Sequence, residues 1–333
     1  MEHDNKHDDP VNYKLKDSDP LEGASFEVFL DELSDVASAK ALNNISIDEA
    51  GIANQKIVTT IDDIDGTGEP VSIMCDIELN VDLVGHRGIH MSRCEEVLFE
   101  ASKKHHKSLD DFAIMVAKGL QNKQESQRAN VRMTGIYLHT HLTKKSNLKS
   151  LDRIYLISNV SIDGHKMSVQ SGISVYNMTA CPCTRTFTKY SIIPELKQLG
   201  YSVDQIQNIL DITKTGTHTQ RGKVTLLIEK NEETPSHGEL YKILDGTCHL
   251  IYELLKRPDE HDLVVRALDK PQFTEDVVRE VAGVAYKYFV NKLPDDSRLI
   301  VESTLLDSIH IHDVCAKIDR SLEDIGKELK IID

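Results

Sequence analysis

Long apolar runs, cationic side chains and regularly spaced cysteines are all scarce in this chain. No stretch approaches the roughly eighteen consecutive apolar residues that a membrane-spanning helix needs. The first ten residues, MEHDNKHDDP, are charged where a secretory signal would carry an apolar core. A membrane span and a signal are therefore excluded, and a cytoplasmic location is expected. Against 54 Asp and Glu stand only 39 Lys and Arg, a formal net charge of -15. Phosphate backbones demand dense cationic surface, so an extended nucleic-acid interface is excluded, while a local basic pocket for a small phosphorylated ligand is not. The six cysteines, at positions 75, 94, 181, 183, 248 and 315, lack the spacing of a secreted disulfide framework. Cys181 and Cys183 are poor partners for each other, because the small ring they would close is strained. Free thiols or metal ligands are the better readings.

What is present is order along the chain. At 333 residues and 40% hydrophobic content it is long enough for two ordinary domains. Residues 1–45 are acidic and read as an N-terminal extension, with one short amphipathic helix expected at FEVFLDELSDVA. In VSIMCDIELNVDLV the apolar residues Val71, Ile73, Cys75, Ile77, Leu79, Val81 and Leu83 fall on one face, the period-2 signature of a strand with one wet face. A shorter strand, QKIVTTI, precedes it across the turn-rich DDIDGTGEP. Two helices follow: MSRCEEVLFEASKKHH, with Ser92 and Glu95 as a capping box, and SLDDFAIMVAKGL, started by Ser108 and Asp111. NVRMTGIYLHTHLT and RIYLISNVSID return to strand alternation, so the first half reads ββααββ.

The second half repeats that order. KMSVQSGISVYNM and RGKVTLLIE read as strands, SHGELYKILDGTCHLIYELLK as a helix capped by Ser236 and Glu239, FTEDVVREVAGVAYKYF as a second helix, and RLIVEST and IHIHDVCAKI as closing strands. An insert at 184–217, with one or two short helices around IIPELKQLGYSVDQIQNIL, separates the first two strands. The expected architecture is α+β: two ββααββ modules, 46–163 and 164–333, each an antiparallel sheet with paired helices on one face. A pair of unrelated α+β domains is the alternative. Sheets of this kind leave their outer strands unpaired, so copies are expected to associate through the edges.

Six stretches carry residues suited to chemistry. Thiolate and imidazole are the usual ligands of zinc and related ions, and a catalytic site keeps three protein ligands and one open position. In TACPCTRTF, adjacent positions of a C-x-C do not easily reach one ion together, which suggests one thiolate on a metal and the other facing substrate; two small buried hydrophobes remain the alternative. In LLDSIHIHD a strand would put His310 and His312 on one face, and a turn would bring Asp307 toward His310. GTHTQRG adds His218 among irregular backbone, with Arg221 and Lys223 nearby. Glu260, in RPDEHD, is read as lying just past a helix end, and Glu275, in FTEDVV, as falling in a first helical turn, where ordinary capping would also explain it. GHRGIHMSR places His86, Arg87, His90 and Arg93 before a helix N-terminus, a setting suited to phosphate, or simply a solvated basic loop.

Taken in order, GHRGIHMSR, TACPCTRT, GTHTQRG, KRPDE, PQFTEDVVRE and DSIHIHD resemble the prokaryotic GTP cyclohydrolases of the type IB family. The likeness covers about residues 45 to 320 and is greatest to the archaeal branch, GTP cyclohydrolase IV of the methanopterin pathway, because of the helical insert after the C-P-C. The resemblance implies the tunnelling fold, with tandem ββααββ modules whose sheets join between subunits in a homodimer or homotetramer and sites at the interfaces. It implies one metal ion per subunit, Fe2+ with Zn2+ or Mn2+ as alternatives, held by Cys181, Glu260 and His310. Asp307 stands where the family often has Glu, which leaves its own coordination open. It implies catalytic roles for Cys183 and His218, and a guanine anchor in Glu275. Arg87, Arg93, Arg185, Arg221 and Lys223 are candidates for the triphosphate by charge alone.

The implied reaction turns GTP into 7,8-dihydroneopterin 2',3'-cyclic phosphate, formate and diphosphate. Three readings compete with it: release of the linear dihydroneopterin triphosphate, an NADPH-dependent nitrile reductase of the same fold, and a metal-binding module without turnover.

Overall fold

The computed structural model describes residues 16, 18–20, 22–31, 35–230 and 235–330. Within the acidic extension, α1 (Ala24–Asp31) realises the start of the expected helix; residues 1–15, and 32–34 of the helical stretch itself, lie outside the described residues. Strands β1 (Ile47–Asp62) and β2 (Pro70–Leu83) follow. Their antiparallel register shifts twice, between Ile47 and Ala50 and between Ile52 and Gln55, with Asn54 at φ 60°. Such bulges break the side-chain alternation, which is why only the second half of β1 is legible as a strand.

Helix α2 (Met91–Ser102) corrects one expectation. Its N-cap is His90 and carries no side-chain cap, so Ser92 lies inside the first turn and the Ser92–Glu95 box does not form. The preceding loop is drawn onto the extension by Arg87 N–H to Ala39 O (2.8 Å) and Gly88 N–H to Ala37 O (3.1 Å), and this path starts the helix early. A two-residue strand, β3 (His105–His106), pairs parallel with β1. Helix α3 (Leu109–Gln124) begins as expected, the Ser108 side chain accepting from Asp111 N–H, and leads into β4 (Arg128–Leu142) and β5 (Lys149–Asp163).

After β6 (Lys166–Ala180) the insert forms three helices where one or two were expected: α4 (Pro182–Ser191), α5 (Ile193–Gln198) and α6 (Val203–Ile212). Then come β7 (Thr219–Lys230), α7 (His237–Thr247), α8 (Arg257–Asp269), α9 (Thr274–Phe289), β8 (Arg298–Leu306), β9 (Val314–Ser321) and α10 (Leu322–Lys330). The Ser236–Glu239 capping box is present.

Two further expectations fail for physical reasons. The helix from Ser236 stops at Thr247, because the next residues are claimed by β6 as extended backbone: Met178 N–H donates to His249 O (2.9 Å) and Ile251 N–H to Tyr176 O (3.1 Å). A new helix, α8, then opens with Pro258, whose fixed φ suits a first turn. The stretch IHIHDVCAKI is strand only from Val314, since the Asp307 carboxylate pulls residues 309 and 310 into a tight loop.

Among the described residues, nine strands form one sheet in the order β3-β1-β2-β4-β5-β6-β7-β8-β9, antiparallel except at β3. The four-strand order of the first half is thus repeated in the second, and the halves are joined by the β5–β6 hairpin, with Asp163 opposite Lys166 and Gly164 at φ 57°. Helices α2 and α3 pack on the first half, α7 and α9 on the second, and one hydrophobic cluster runs from Ile61 to Ile325. Phe112 and Phe289, 0% and 1% exposed, sit in it; burying a side chain of that size contributes roughly 1.5–3 kcal/mol. Among the described residues no helix is long and apolar enough to cross a membrane.

The cysteines divide by burial. Cys75 is sealed under the helices, and burial pushes its thiol up to about 12; Cys248 is pushed up to about 12 by the same cause, and Cys94 is raised. A raised thiol pKa withholds the thiolate that alkylating agents need. Iodoacetamide at about pH 8 should therefore modify Cys181, Cys183 and Cys315 in the native protein and spare Cys75, Cys94 and Cys248 until it is denatured, as read by peptide mass spectrometry.

Candidate active site

The β6–β7 ladder ends at Ala180 opposite Thr219, and the next backbone bond runs from Cys181 N–H to His218 O (3.1 Å). Cys181 and His218 therefore leave the sheet side by side, at the end opposite the Gly164 hairpin. Cys181 is the N-cap of α4, its Sγ accepting from Thr184 N–H at 3.5 Å, and Pro182 opens the helix. Cys183 lies inside the first turn and is exposed, while Cys181 is half-buried. A cap residue and the second helical residue point in different directions, so the two thiols are separated by local geometry.

Across the sheet end, Asp307 organises the loop after β8. Its Oδ1 accepts from Ile309 N–H (2.8 Å) and His310 N–H (3.1 Å), and its Oδ2 lies 3.2 Å from His310 Nδ1. These contacts, chiefly the Ile309 N–H, hold its carboxyl down to about 2. With Nδ1 engaged, Nε2 is the nitrogen His310 leaves available. His312 does not share a strand face with His310; the loop instead brings the two ring centres to 5.1 Å, with their planes 30° apart. Ser308 Oγ lies 3.3 Å from His218 Nδ1, so this loop touches the Cys181–His218 corner.

Glu260 is not beyond a helix end but in the first turn of α8, where the helix dipole favours a carboxylate. Its neighbour Asp259 is buried and serves the loop between β4 and β5: Oδ1 accepts from Lys145 N–H (2.9 Å) and Ser146 N–H (3.1 Å), and Oδ2 from Lys256 N–H (3.3 Å). Glu275 lies in the first turn of α9, yet the capping there is done by Asp276, which accepts from Phe273 N–H at 3.0 Å. Ordinary capping therefore does not account for Glu275, which lines a cavity of about 460 Å³ with Arg279, Lys317 and Arg320. Gln272 N–H donates to Ala180 O (3.1 Å), tying the start of α9 to the end of β6.

Cys181, Cys183, His218, Glu260, Glu275, Asp307 and His310 are thus all delivered to one end of the sheet. They do not form a closed coordination sphere: among the described residues no group of three His, Cys, Asp or Glu side chains is placed to hold a metal ion. The chemistry of the donors, a thiol, an imidazole nitrogen and a carboxylate, nonetheless suits a divalent ion of the zinc or iron type. Arg185 Nε, Thr215 Oγ1, Thr217 Oγ1 and Gln220 Oε1 are buried there without a hydrogen-bond partner. Buried polar atoms are almost always satisfied, so these four keep hydrogen-bonding capacity that a polar ligand could use. Asp259, Ser308 and Gln220 escaped the sequence reading, although each sits inside a stretch it singled out.

The cations divide between two ends. Arg221 and Lys223 are exposed on β7 near the cysteine end, Lys223 Nζ lying 4.5 Å from the centre of the Tyr155 ring. Arg87 and Arg93 lie at the hairpin end, where Arg93 Nη1 donates to Lys123 O (2.9 Å) beside a cavity of about 430 Å³ lined by His86, His90 and Gln124. A strand the length of β6, 15 residues, is roughly 50 Å long at about 3.3 Å per residue. No single nucleotide reaches both sets in one chain.

Removing the Asp307 carboxylate should free His310 to turn. Asp307→Ala is expected to lower activity about 10- to 100-fold, the usual cost of losing the group that orients a functional histidine, with the melting temperature little changed. Because the carboxyl is depressed in the fold, the contact's stabilisation is complete above the ordinary carboxylate value and disappears only as pH falls through about 2. His310 ring signals followed by NMR should therefore show the contact intact in mildly acidic solution.

A family model described as type I GTP cyclohydrolase folE2 matches residues 33–316. GTP cyclohydrolase MptA of Methanococcus aeolicus is 32% identical over 310 residues, covering 89% of this chain and 99% of that one. GTP cyclohydrolase MptA of Thermoplasma volcanium is 32% identical over 302 residues, covering 89% and 98%. Among solved structures, uricase from Arthrobacter globiformis superposes with a TM-score of 0.46 at 8% identity, over 84% of this chain and 95% of that one. With the family match spanning most of the chain and relatives about 32% identical along nearly their whole length, this protein belongs to the type I GTP cyclohydrolase folE2 family.

Proposed function

We propose that the chain is a GTP cyclohydrolase of the MptA kind, acting in archaeal methanopterin synthesis and converting GTP and water to 7,8-dihydroneopterin 2',3'-cyclic phosphate, formate and diphosphate. The observation that carries this reading is the delivery of Cys181, His218, Glu260, Glu275 and His310 to one sheet end by five separate chain segments. Cys181, Glu260 and His310 would hold one divalent ion per subunit, Fe2+ in this reading with Zn2+ or Mn2+ as alternatives, and a bound ion supplies hydroxide at neutral pH. Glu275, released from capping, accepts N–H groups of the guanine base. Cys183 and His218 stand on either side of Cys181 and move the proton that ring opening at C8 requires. Arg185, Arg221 and Lys223 take phosphate oxygens.

Two modules, 46–163 and 164–333, form the working unit of this proposal, and a second copy completes it. Ile309 and Ile311 are 61% and 108% exposed beside His310, more apolar surface than a loop tip leaves in water without a partner. The end strands β1 and β9 offer unpaired backbone along most of their outer edges among the described residues. Association through these edges, as a homodimer or homotetramer, lets Arg87 and Arg93 of one copy face the cysteine end of another.

Two experiments test this. Purified protein under anaerobic conditions with GTP and Fe2+ should release formate and a cyclic phosphate that yields a fluorescent pterin on oxidation, and a chelator should abolish both; absence of formate with Fe2+, Zn2+ and Mn2+ alike would defeat the proposal. Separately, Cys183→Ala and Arg93→Ala should each be inactive alone. Refolded together at equal amounts they should regain about a quarter of the activity if the assembly is a dimer, since half of randomly formed dimers are mixed and each mixed dimer holds one intact site. No recovery would show that the two residues serve the same site within one chain, and activity in Arg93→Ala alone would show that Arg93 is not used.

A further inference from the structure

Helix α8 packs along β6 of the second half, yet its first turn is fastened to the first half of the chain. The linker that feeds it wedges between β5 and β6. On one side its backbone bonds to β6 through His249 and Ile251; on the other, Glu253 N–H donates to Asp152 Oδ1 (2.6 Å) and Leu254 N–H to Ser150 Oγ (3.1 Å), both on β5. Asp152 is itself buried, bonded by Ser150 Oγ (2.8 Å) and paired with His141 of β4. Beyond the linker, Asp259 completes the attachment, binding the Lys145 and Ser146 amides at the tip of the β4–β5 hairpin and the Lys256 amide that precedes its own helix. Asp262, one turn on, pairs with Lys145 Nζ at 3.1 Å.

Asp259 is 4% exposed, whereas Glu260, the next residue, faces solvent. Consecutive residues of a helix differ by about 100° in direction, so anchoring one carboxylate fixes where the other points. A cap alone needs one acceptor and one amide of its own helix. Asp259 uses that bond and adds two to another element, so it sets the orientation of the helix as well as its start. We infer that Asp259 is a positioning residue, locking the first turn of α8 to the β4–β5 hairpin so that Glu260 is presented at the cysteine end of the sheet. The inference rests on the reading of Glu260 as a working residue of that site.

The test compares Asp259→Ala, Asp259→Asn and Glu260→Gln in the full chain. Zn2+ affinity is measured against a chromophoric chelator, kcat and KM with GTP, amide exchange at Lys145 and Ser146, and the melting temperature. Asp259→Ala should weaken Zn2+ binding about 10- to 100-fold, lower kcat more than it raises KM, and speed exchange at both hairpin amides. Asp259→Asn keeps an oxygen for those two amides and should retain most of the affinity. Glu260→Gln should lose affinity while leaving hairpin exchange at its wild-type rate. If Asp259→Ala lowers only the melting temperature, with Zn2+ affinity and kcat unchanged well below it while Glu260→Gln is defective, the positioning role is overturned. If Glu260→Gln itself binds Zn2+ and turns over normally, the reading of Glu260 fails and the positioning role falls with it.

Discussion

The cysteine end of the sheet depends on the pairing of β6 with β7. Twelve consecutive residue pairs, from Val169–Lys230 to Ala180–Thr219, fix the two strands in one register. A slip of one residue would reverse the faces of every side chain, so the register is enforced by the whole buried face. Gly222 shows how tightly it is enforced: a Cβ there would lie 2.4 Å from Leu305 Cδ2 and 2.6 Å from Asn177 Oδ1, so the close approach of three strands requires glycine. This register is what brings Cys181 beside His218 although 36 residues of insert and loop lie between them. The insert can vary in length without moving either residue, because loop length enters the free energy only slowly while the ladder holds both ends.

Legibility in the sequence followed how each segment is stabilised. Strands with one buried face and helices with local caps, such as β2 and α3, announce themselves by period and by Ser108. Segments held by distant partners do not. The stretch 248–254 has the apolar spacing of a helix, yet Leu250 and Tyr252 are buried as an extended wedge because β5 and β6 offer backbone and carboxylate partners that a helix would forgo. IHIHD has strand alternation, but a single carboxylate accepting from two amides outweighs it over so short a run. For the site, residue types and their order singled out the candidate stretches. They could not show that Asp276 does the capping and releases Glu275, or that Asp259 faces a hairpin more than a hundred residues away, since both depend on which of two adjacent carboxylates turns inward.

One continuous sheet also explains why the cation set is split. The two halves repeat the same strand order and are joined by a hairpin, so equivalent ends of the halves coincide, and the loops that leave β2 and enter β4 in the first half lie at the hairpin end, opposite the cysteine end. Evenly extended antiparallel strands cannot fold back over their own length. A site needing groups from both ends can be built only by setting the end of one sheet against the opposite end of another. In the proposed assembly the open edges at β1 and β9 and the apolar tip at Ile309 and Ile311 would serve that same geometry.

Charge gives the last constraint. A chain of net charge -15 repels a nucleotide triphosphate at long range, but at physiological ionic strength that repulsion fades over about 8 Å. What counts is the charge within a few ångströms of the bound phosphates. Elsewhere on the surface cations are spent on carboxylates: Arg132 on Glu49 and Glu78, Lys123 on Glu96 and Glu100, Arg298 and Lys317 on Asp319. Among the described residues Arg185, Arg221 and Lys223 have no such partner, and Arg185 keeps a buried Nε without an acceptor. These three cations are therefore not consumed by ion pairs, which is the local condition that the proposed triphosphate site needs in a chain that is acidic elsewhere.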